Sequence, residues 1–276
     1  MIPFTKAHAC GNDFLIVTEE AAATHAPHES WADLTRRLCQ RTTSIGADGI
    51  EFFAFTGPRS GRIRLHNADG SIAEISGNGT RCVAAYMARQ LNSQPGDELE
   101  ILTDAGPRLC RIDSVTAEGE FSVQVTTSMG APTFAPRTVT IPGGVQVPGV
   151  QVSTGNPHFV ILVDNPDFHV DNQRWQSIGQ QICGHPDFPH QTNVEFLRVL
   201  SPSEIEIRIF ERGVGPTSSS GTGSSATATA AIAIHGCESP LTVVSPGGPQ
   251  TIAWSGAGSE LFLTCPASLI AQGEAW

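Results

Sequence analysis

Residues 76–80 have the sequence Ser-Gly-Asn-Gly-Thr, and the interpretation of the whole chain starts from this stretch. It follows an apolar-polar alternation at 63–66 and precedes an apolar run with helical spacing at 82–91. A glycine-rich turn that leads into a helix leaves the first backbone N–H groups of that helix without partners. Together with the positive end of the helix dipole, these groups favour an anion such as a carboxylate.

The same arrangement returns 144 residues later as Ser-Gly-Thr-Gly-Ser at 220–224, before a second apolar run at 226–234. Five segments keep this separation: residues 11–12, 31–38, 49–52, 63–67 and 76–77 match 155–156, 175–182, 193–196, 207–211 and 220–221, and similar apolar runs follow the first pair at 14–17 and 159–163. A constant offset predicts a duplicated domain, with two similar halves that are each strand-rich and carry two helices. Two such copies around a pseudo-twofold axis would bring both helix N-termini to one cleft between the halves.

Local patterns give the first elements. Residues 4–17 predict a strand, a Gly-Asn turn and a strand, and Ser30 is a plausible N-cap for a helix that extends through Leu38. Strands are expected at 50–55 and 62–66, and several more between 98 and 141.

Composition limits the functional classes. With 276 residues, 39% hydrophobic and 16% charged, the chain is globular and long enough for two domains. Its net charge of −11, without a basic run, argues against nucleic acid or an anionic membrane as a partner. Seven scattered cysteines, no signal peptide and no apolar run of bilayer length predict a cytoplasmic protein with reduced thiols.

Four asparagines stand at turns or strand ends of the duplicated segments: Asn12, Asn67, Asn156 and Asn193. Asparagine at a turn often serves only backbone conformation. At a shared cleft, however, its donor and acceptor groups suit a zwitterion. The adjacent charges of Glu211 and Arg212 could hold an ammonium and a carboxylate.

Two opposed groups, one on each side of a substrate α-carbon, could remove a proton from one face and return it to the other. Ser76 and Ser220 occupy the positions for such groups. A serine hydroxyl needs an adjacent base, for which His66 and His158 are the candidates.

These residues resemble the diaminopimelate epimerase family along nearly the whole chain. The matching motifs are GNDF at 11–14, GADG at 46–49, NADGS at 67–71, GNGTRC at 77–82, GNPH at 155–158, TNVEF at 192–196, ERG at 211–213 and GTG at 221–223. The resemblance implies two pseudosymmetric α/β domains, each with strands wrapped around a central helix. It places residues 1–118 and about 264–276 in the N-terminal half and 119–263 in the C-terminal half, with the active cleft between them.

The resemblance also implies epimerisation between LL- and meso-diaminopimelate, in lysine and peptidoglycan biosynthesis, without pyridoxal phosphate, other cofactor or metal. The implied substrate-binding residues are Asn12, Asn67, Asn156, Asn193, Glu211 and Arg212, with the backbones of Gly77, Asn78, Gly221 and Thr222 on the carboxylate. His158 and Glu211 would lie beside the reacting centre. The small-molecule partner is a diaminopimelate-like amino acid, and a homodimer is left open.

The chain departs from the family at the two catalytic cysteine positions, which carry Ser76 and Ser220. Pro216 and Gln191 also replace the usual glutamate and arginine. Three hypotheses follow: an impaired or diverged epimerase, an amino-acid-binding pseudoenzyme, or a repurposed isomerase that uses a serine with His158.

Two other patterns carry little weight. Residues 221–226 resemble a dinucleotide-binding fingerprint, but no acidic residue ends a strand about 20 residues further on, as ribose binding requires. Cys183 and His185 lack a second pair at zinc-ligand spacing, so no metal site is predicted.

Overall fold

The computed structural model describes residues 1–73 and 76–276, which form two compact units. Residues Met1–Thr127 and Cys265–Trp276 make up the first unit, and Ser128–Thr264 make up the second. The sequence places this boundary earlier, at 118/119. Residues 121–127 belong to the first unit because their strand pairs with the strand before it, which lies in that unit.

Strands dominate the described chain. They are β1 (Ile2–Ala9), β2 (Asn12–Thr18), β3 (Gly49–Gly57), β4 (Ser60–Asn67), β5 (Ile72–Ala73), β6 (Glu98–Thr103), β7 (Gly106–Thr116), β8 (Phe121–Ser128), β9 (Thr133–Ile141), β10 (Val145–Ser153), β11 (Pro157–Leu162), β12 (Asn193–Ser201), β13 (Glu204–Glu211), β14 (Gly215–Thr217), β15 (Leu241–Ser245), β16 (Gly248–Trp254) and β17 (Leu261–Ala275). The helices are α1 (Glu19–His25), α2 (Trp31–Leu38), α3 (Gly77–Leu91), α4 (Trp175–Cys183) and α5 (Gly221–Ile234).

The first unit is a closed ring of strands. Its order is β1, β2, β3, β4, β6, β7, β8 and β17, after which β17 returns to β1. In this ring the β2–β3 and β4–β6 pairs are parallel. Helix α3 fills the interior, where its apolar side chains from Cys82 to Ala88 pack against inward residues such as Phe14 and Leu65. This burial makes α3 the core of the unit.

The second unit repeats this plan, with strand order β9, β10, β11, β12, β13, β15, β16 and β17. Helix α5 packs its alanines against the inner faces of β10, β13 and β15. Strand β17 serves both units, since residues 261–264 pair with β16 and residues 268–275 pair with β1. The predicted class, two strand-rich halves each around a central helix, is confirmed.

The 144-residue offset holds in bounds and in register. Strands β3 and β12 have equal lengths and begin 144 residues apart, and so do β4 and β13. Phe14 pairs with Gly49 in the first unit, and the residues 144 positions later, His158 and Asn193, pair in the second. Positions separated by 144 therefore occupy equivalent places in the two units.

Three local predictions were wrong. The first unit has a third helix, α1, because Thr18 caps Ala21 and alanines fill the turn, whereas Pro166 stands in the equivalent segment. Helices α3 and α5 begin at the first glycine of each glycine-rich stretch, as described below.

The prediction of reduced thiols also fails for one pair. Cys10 and Cys265 form a disulfide within the first unit, between the β1–β2 turn and β17. The other five cysteines are free and buried. No helix in the described residues is long and apolar enough to cross a membrane.

Candidate functional site

Ser76 is the N-cap of α3. Its Oγ accepts a hydrogen bond from the Gly79 N–H at 3.0 Å, and its carbonyl accepts the Thr80 N–H at 2.8 Å. This cap explains why the helix begins at Gly77, directly after the serine. The N–H groups of Gly77 and Asn78 precede the first intrahelical bond, so they form the donor pair expected at a helix N-terminus.

Asn12 and Asn78 lie together in the first unit. Asn78 Nδ2 donates to Asn12 Oδ1 at 3.3 Å, and Asn12 Nδ2 donates to Asp48. The buried Arg81 guanidinium donates to Asn78 Oδ1. Both amides are therefore fixed by charged neighbours. Asn67 is exposed at the end of β4, where its Nδ2 donates to Ser71 Oγ at 3.0 Å.

Ser220 repeats the cap at the start of α5. Its Oγ accepts the Gly223 N–H at 3.2 Å and lies 3.5 Å from Thr222 Oγ1. Gly221 and Thr222 thus supply the first N–H groups of α5, as Gly77 and Asn78 do for α3. Ser220 is nearly buried.

His158 is fully buried and has an oxygen at each ring nitrogen. Nδ1 lies 2.8 Å from Glu195 Oε1, and Nε2 lies 2.9 Å from Asn156 Oδ1. Asn156 Nδ2 in turn donates to Thr222 Oγ1 at 3.4 Å. Hydrogen bonds therefore connect the first turn of α5 to side chains of β11, β12 and the turn before β11.

Glu211 completes this group. Burial raises the pKa of the Glu211 carboxyl, while a hydrogen bond with Ser220 lowers it and the charge of Glu195 raises it further. The carboxyl thus contacts the hydroxyl that occupies a predicted catalytic position. A carboxyl beside a hydroxyl can exchange a proton with it.

Arg212 and Asn193 are held by the backbone. Asn193 Nδ2 donates to the Pro157 carbonyl at 3.1 Å, and its Oδ1 accepts the Arg212 N–H at 2.9 Å. The exposed Arg212 side chain donates to the His190 carbonyl at 3.0 Å. The expected roles of Glu211 and Arg212, which were to hold a substrate ammonium and a carboxylate, stay predictions.

His66 is not placed as a base for Ser76. Its ring packs edge-on against Phe52, with centroids 5.4 Å apart, and against Trp31 of α2. Burial lowers its pKa. The neighbouring Leu65, not His66, faces the interior that contains α3, because successive side chains of a strand alternate between faces.

Two buried glutamates were missed as site residues. Glu51 and Glu195 occupy equivalent positions on β3 and β12, and neither is exposed. Burial raises the pKa of both carboxyls, to about 8 for Glu51, and His158 opposes the shift for Glu195. A lone charged residue within an apolar strand, at the same place in both halves, was the signal available in the sequence.

Proteins of similar sequence belong to one family. The family model for diaminopimelate epimerase matches residues 4–135 and 150–270. Proteins named diaminopimelate epimerase from Microcystis aeruginosa (strain NIES-843 / IAM M-2473) and Halothermothrix orenii (strain H 168 / OCM 544 / DSM 9562) are 34% and 35% identical to this chain. These alignments each cover 99% of it and 98% and 97% of the relatives.

Solved structures share the fold at low identity. A Bacillus anthracis phenazine biosynthesis protein of the PhzF family has a TM-score of 0.69 at 18% identity, covering 100% of this chain and 99% of that one. A hydroxyproline epimerase from Agrobacterium vitis, with bound trans-4-OH-L-proline, has a TM-score of 0.63 at 14% identity, covering 99% and 91%. The full-length sequence match and the repeated strand-wrapped helix together show that the chain belongs to the diaminopimelate epimerase family.

Proposed function

We propose that this chain is a cofactor-independent amino-acid epimerase that acts on diaminopimelate, with serine hydroxyls at both proton-transfer positions. Family membership supports the reaction class. The observation that carries the proposal is that Ser76 and Ser220 each cap the central helix of their unit. Proton transfer at two faces of one α-carbon requires two such groups, and the two hydroxyls occupy equivalent positions at the two helix starts.

The amides and charged groups would bind the substrate. In this proposal one amino acid uses residues of both units, and its carboxylate accepts hydrogen bonds from the N–H groups of Gly77, Asn78, Gly221 and Thr222. The remaining contacts would come from Asn12, Asn67, Asn156, Asn193, Glu211 and Arg212. Diaminopimelate has an ammonium and a carboxylate at each end, which suits this mixture of acceptors and donors.

Proton transfer would be slow compared with that of a cysteine enzyme. A free thiol has a pKa of about 8.5 and is partly ionised at neutral pH, whereas a neutral hydroxyl must lose its proton to a neighbouring base. Glu211 can act in this way for Ser220, because the two side chains share a hydrogen bond. His158, oriented by Glu195, would lie beside the reacting centre.

An amino-acid-binding protein without turnover is the second candidate. Its support is that both proton-transfer positions carry neutral hydroxyls, whose oxygens each serve as the cap of a helix. A repurposed isomerase that uses a serine with His158 is a third candidate, but in the described part of the chain the ring nitrogens of His158 lie against Glu195 and Asn156, not against a serine.

The test follows deuterium at the α-carbon. The wild-type chain and the Ser76→Cys/Ser220→Cys variant are incubated with LL-diaminopimelate in D₂O, and α-deuterium is measured by NMR. Slow exchange in the wild type and a large gain in the variant support the proposed epimerase. Calorimetric binding without exchange in either protein supports the binding protein. Failure to bind or to exchange diaminopimelate in both proteins rejects both candidates.

A further inference from the structure

Glu51 is a buried carboxyl of the first unit to which the proposed reaction has so far given no role. Strand β3 places it inside the barrel, where its cross-strand neighbours are Ile16 and Leu65. The residue has no exposed surface, and neither carboxyl oxygen has a hydrogen-bond partner among the described residues. A carboxyl in such surroundings costs free energy, so its presence calls for a function.

The carboxyl lies against the first turn of α3. A Cβ built on Gly79 would lie 1.9 Å from Glu51 Oε1 and 3.2 Å from Ser76 Cβ. The Gly79 N–H also donates to Ser76 Oγ. Glu51 and Ser76 therefore border the same glycine, and the absence of a side chain at position 79 is what allows the carboxyl to approach the helix start.

The second unit shows which group is lacking in the first. There Ser220 has Glu211 as its carboxyl partner, and Glu195 is occupied by His158. The positions equivalent to His158 and Glu211 are Phe14 and Asn67. Neither phenylalanine nor asparagine exchanges a proton at neutral pH. Within the described part of the first unit, Glu51 is the carboxyl that borders Gly79 on the same side as Ser76 Cβ.

We propose that Glu51 is the proton partner of Ser76, as Glu211 is the proton partner of Ser220. This inference rests on the proposed epimerase function. In one direction the substrate Cα–H bond breaks and its proton goes to Ser76 Oγ, while the proton of the Ser76 hydroxyl goes to the Glu51 carboxylate. On the opposite face Ser220 gives its proton to the α-carbon and takes one from the protonated Glu211. The reverse reaction uses the same transfers in the opposite order, and Glu51 acts only through Ser76.

The protonation of Glu51 fits this role, since burial raises its pKa to about 8 and both forms are present near neutral pH. The buried titratable side chains on β2, β4 and α3, which pack around it, are Asp13, His66, Arg81 and Cys82. Asp13 is paired with Lys6 and Arg41, and burial raises the pKa of the Cys82 thiol far above neutral. His66 packs on Trp31 and burial lowers its pKa, and burial lowers the pKa of Arg81 only to about 10, so none of these groups changes charge where Glu51 does.

The first test needs no turnover. The thiol introduced by Ser76→Cys is titrated by its ultraviolet thiolate absorbance, as a difference from the wild-type chain, with and without Glu51→Gln. An adjacent carboxylate opposes thiolate formation, so Glu51→Gln should lower the midpoint by about one pH unit. The control is Ser220→Cys, whose titration Glu51→Gln should leave unchanged. An unchanged midpoint for the thiol at position 76 overturns the inference.

The second test compares the two directions of exchange. Glu51→Gln and Glu211→Gln are incubated in D₂O with LL-diaminopimelate and with the meso isomer. In each variant, α-deuterium exchange into one unreacted isomer should fall at least about tenfold, while exchange into the other isomer is kept. The isomer affected by Glu51→Gln should be the one that Glu211→Gln leaves unaffected. Net epimerisation must slow equally in both directions, because the equilibrium between the isomers is fixed, so the readout is deuterium in the unreacted isomer. Equal loss of that exchange from both isomers in Glu51→Gln indicates a structural role and overturns the inference. A shifted thiol midpoint without exchange in the wild type rejects the epimerase function and leaves the Glu51–Ser76 coupling standing.

Discussion

Nδ1 of His158 lies 2.8 Å from Oε1 of Glu195, and neither side chain is exposed to solvent. Removing one member of a buried hydrogen-bonded pair leaves the polar group of the other without its partner, which costs about 1–3 kcal/mol in comparable cases. We therefore expect Glu195→Ala to lower the free energy of unfolding of the chain by that amount, measured by urea denaturation.

The matched control is Glu29→Ala, which removes the partner of the half-exposed Arg37. Exposed ion pairs contribute about 0–1 kcal/mol, so this variant should remain close to the wild type. Similar losses in both variants would contradict the assignment of His158 and Glu195 as a coupled buried pair.

The disulfide between Cys10 and Cys265 gives a second prediction. It joins residues 255 positions apart and ties the turn before Asn12 to β17. Peptide mapping without reductant should recover the Cys10 and Cys265 peptides as one linked species, and should find Cys39, Cys82, Cys110, Cys183 and Cys237 as free thiols after unfolding.

Cys265→Ser should lower the free energy of unfolding by about 2–4 kcal/mol through the loss of this cross-link. Dithiothreitol should lower the stability of the wild type by a similar amount and leave that of the variant unchanged. Equal sensitivity of both proteins to the reductant would contradict the assigned pair.

The repeat and its consequences could be predicted because they depend on spacing alone. One offset of 144 residues places Trp31 with Trp175 and Ser76 with Ser220, and the structure keeps that offset in strand bounds and register. Hydrophobic alternation likewise located β1, β2 and β4 to within a few residues.

Contacts between distant side chains could not be predicted in this way. The sequence does not show that Glu51 faces Gly79, or that His66 faces Trp31 instead of Ser76, because strand register decides which side of the sheet each residue occupies. The predicted starts of α3 and α5 were too late in the chain for a related reason. Glycine disfavours helix, but at position 79 it is needed for close approach to Glu51, and the Ser76 cap offsets part of the cost.

Gly79→Ala tests this close approach. The new methyl group would lie 1.9 Å from Glu51 Oε1, so one of the two segments must move, and we expect the free energy of unfolding to fall by about 1–3 kcal/mol. Gly77→Ala is the control, because a Cβ there meets only Arg81 Nη1 at 3.6 Å. Alanine is the better helix former, so this control should be neutral or slightly stabilising. Glu51→Ala should recover part of the Gly79→Ala loss in thermal unfolding, and no recovery would mean that another contact causes it.

The pH dependence of stability gives the last prediction. Burial raises the pKa of Glu51 from 4.5 to about 8, so the folded chain keeps this proton to higher pH than the unfolded chain does. The resulting contribution to stability is fully present below the unfolded pKa of 4.5 and is lost as the pH rises through about 8. Glutamine has no proton to lose at this position. The free energy of unfolding of Glu51→Gln, relative to the wild type, should therefore rise by about 3 kcal/mol between about pH 5 and pH 8.

Urea unfolding at several pH values measures this difference, with Glu98→Gln as the control at an exposed glutamate of β6. The control should follow the wild type at every pH, and a parallel course for Glu51→Gln would show that the buried carboxyl titrates near its ordinary pKa. The variant whose stability relative to the wild type rises toward pH 8 is also the one expected to lose proton exchange at Ser76. The Glu51 carboxyl lowers stability over the pH range where it changes charge, although glutamine would fit at this position. Such a side chain is more readily explained by proton transfer than by packing.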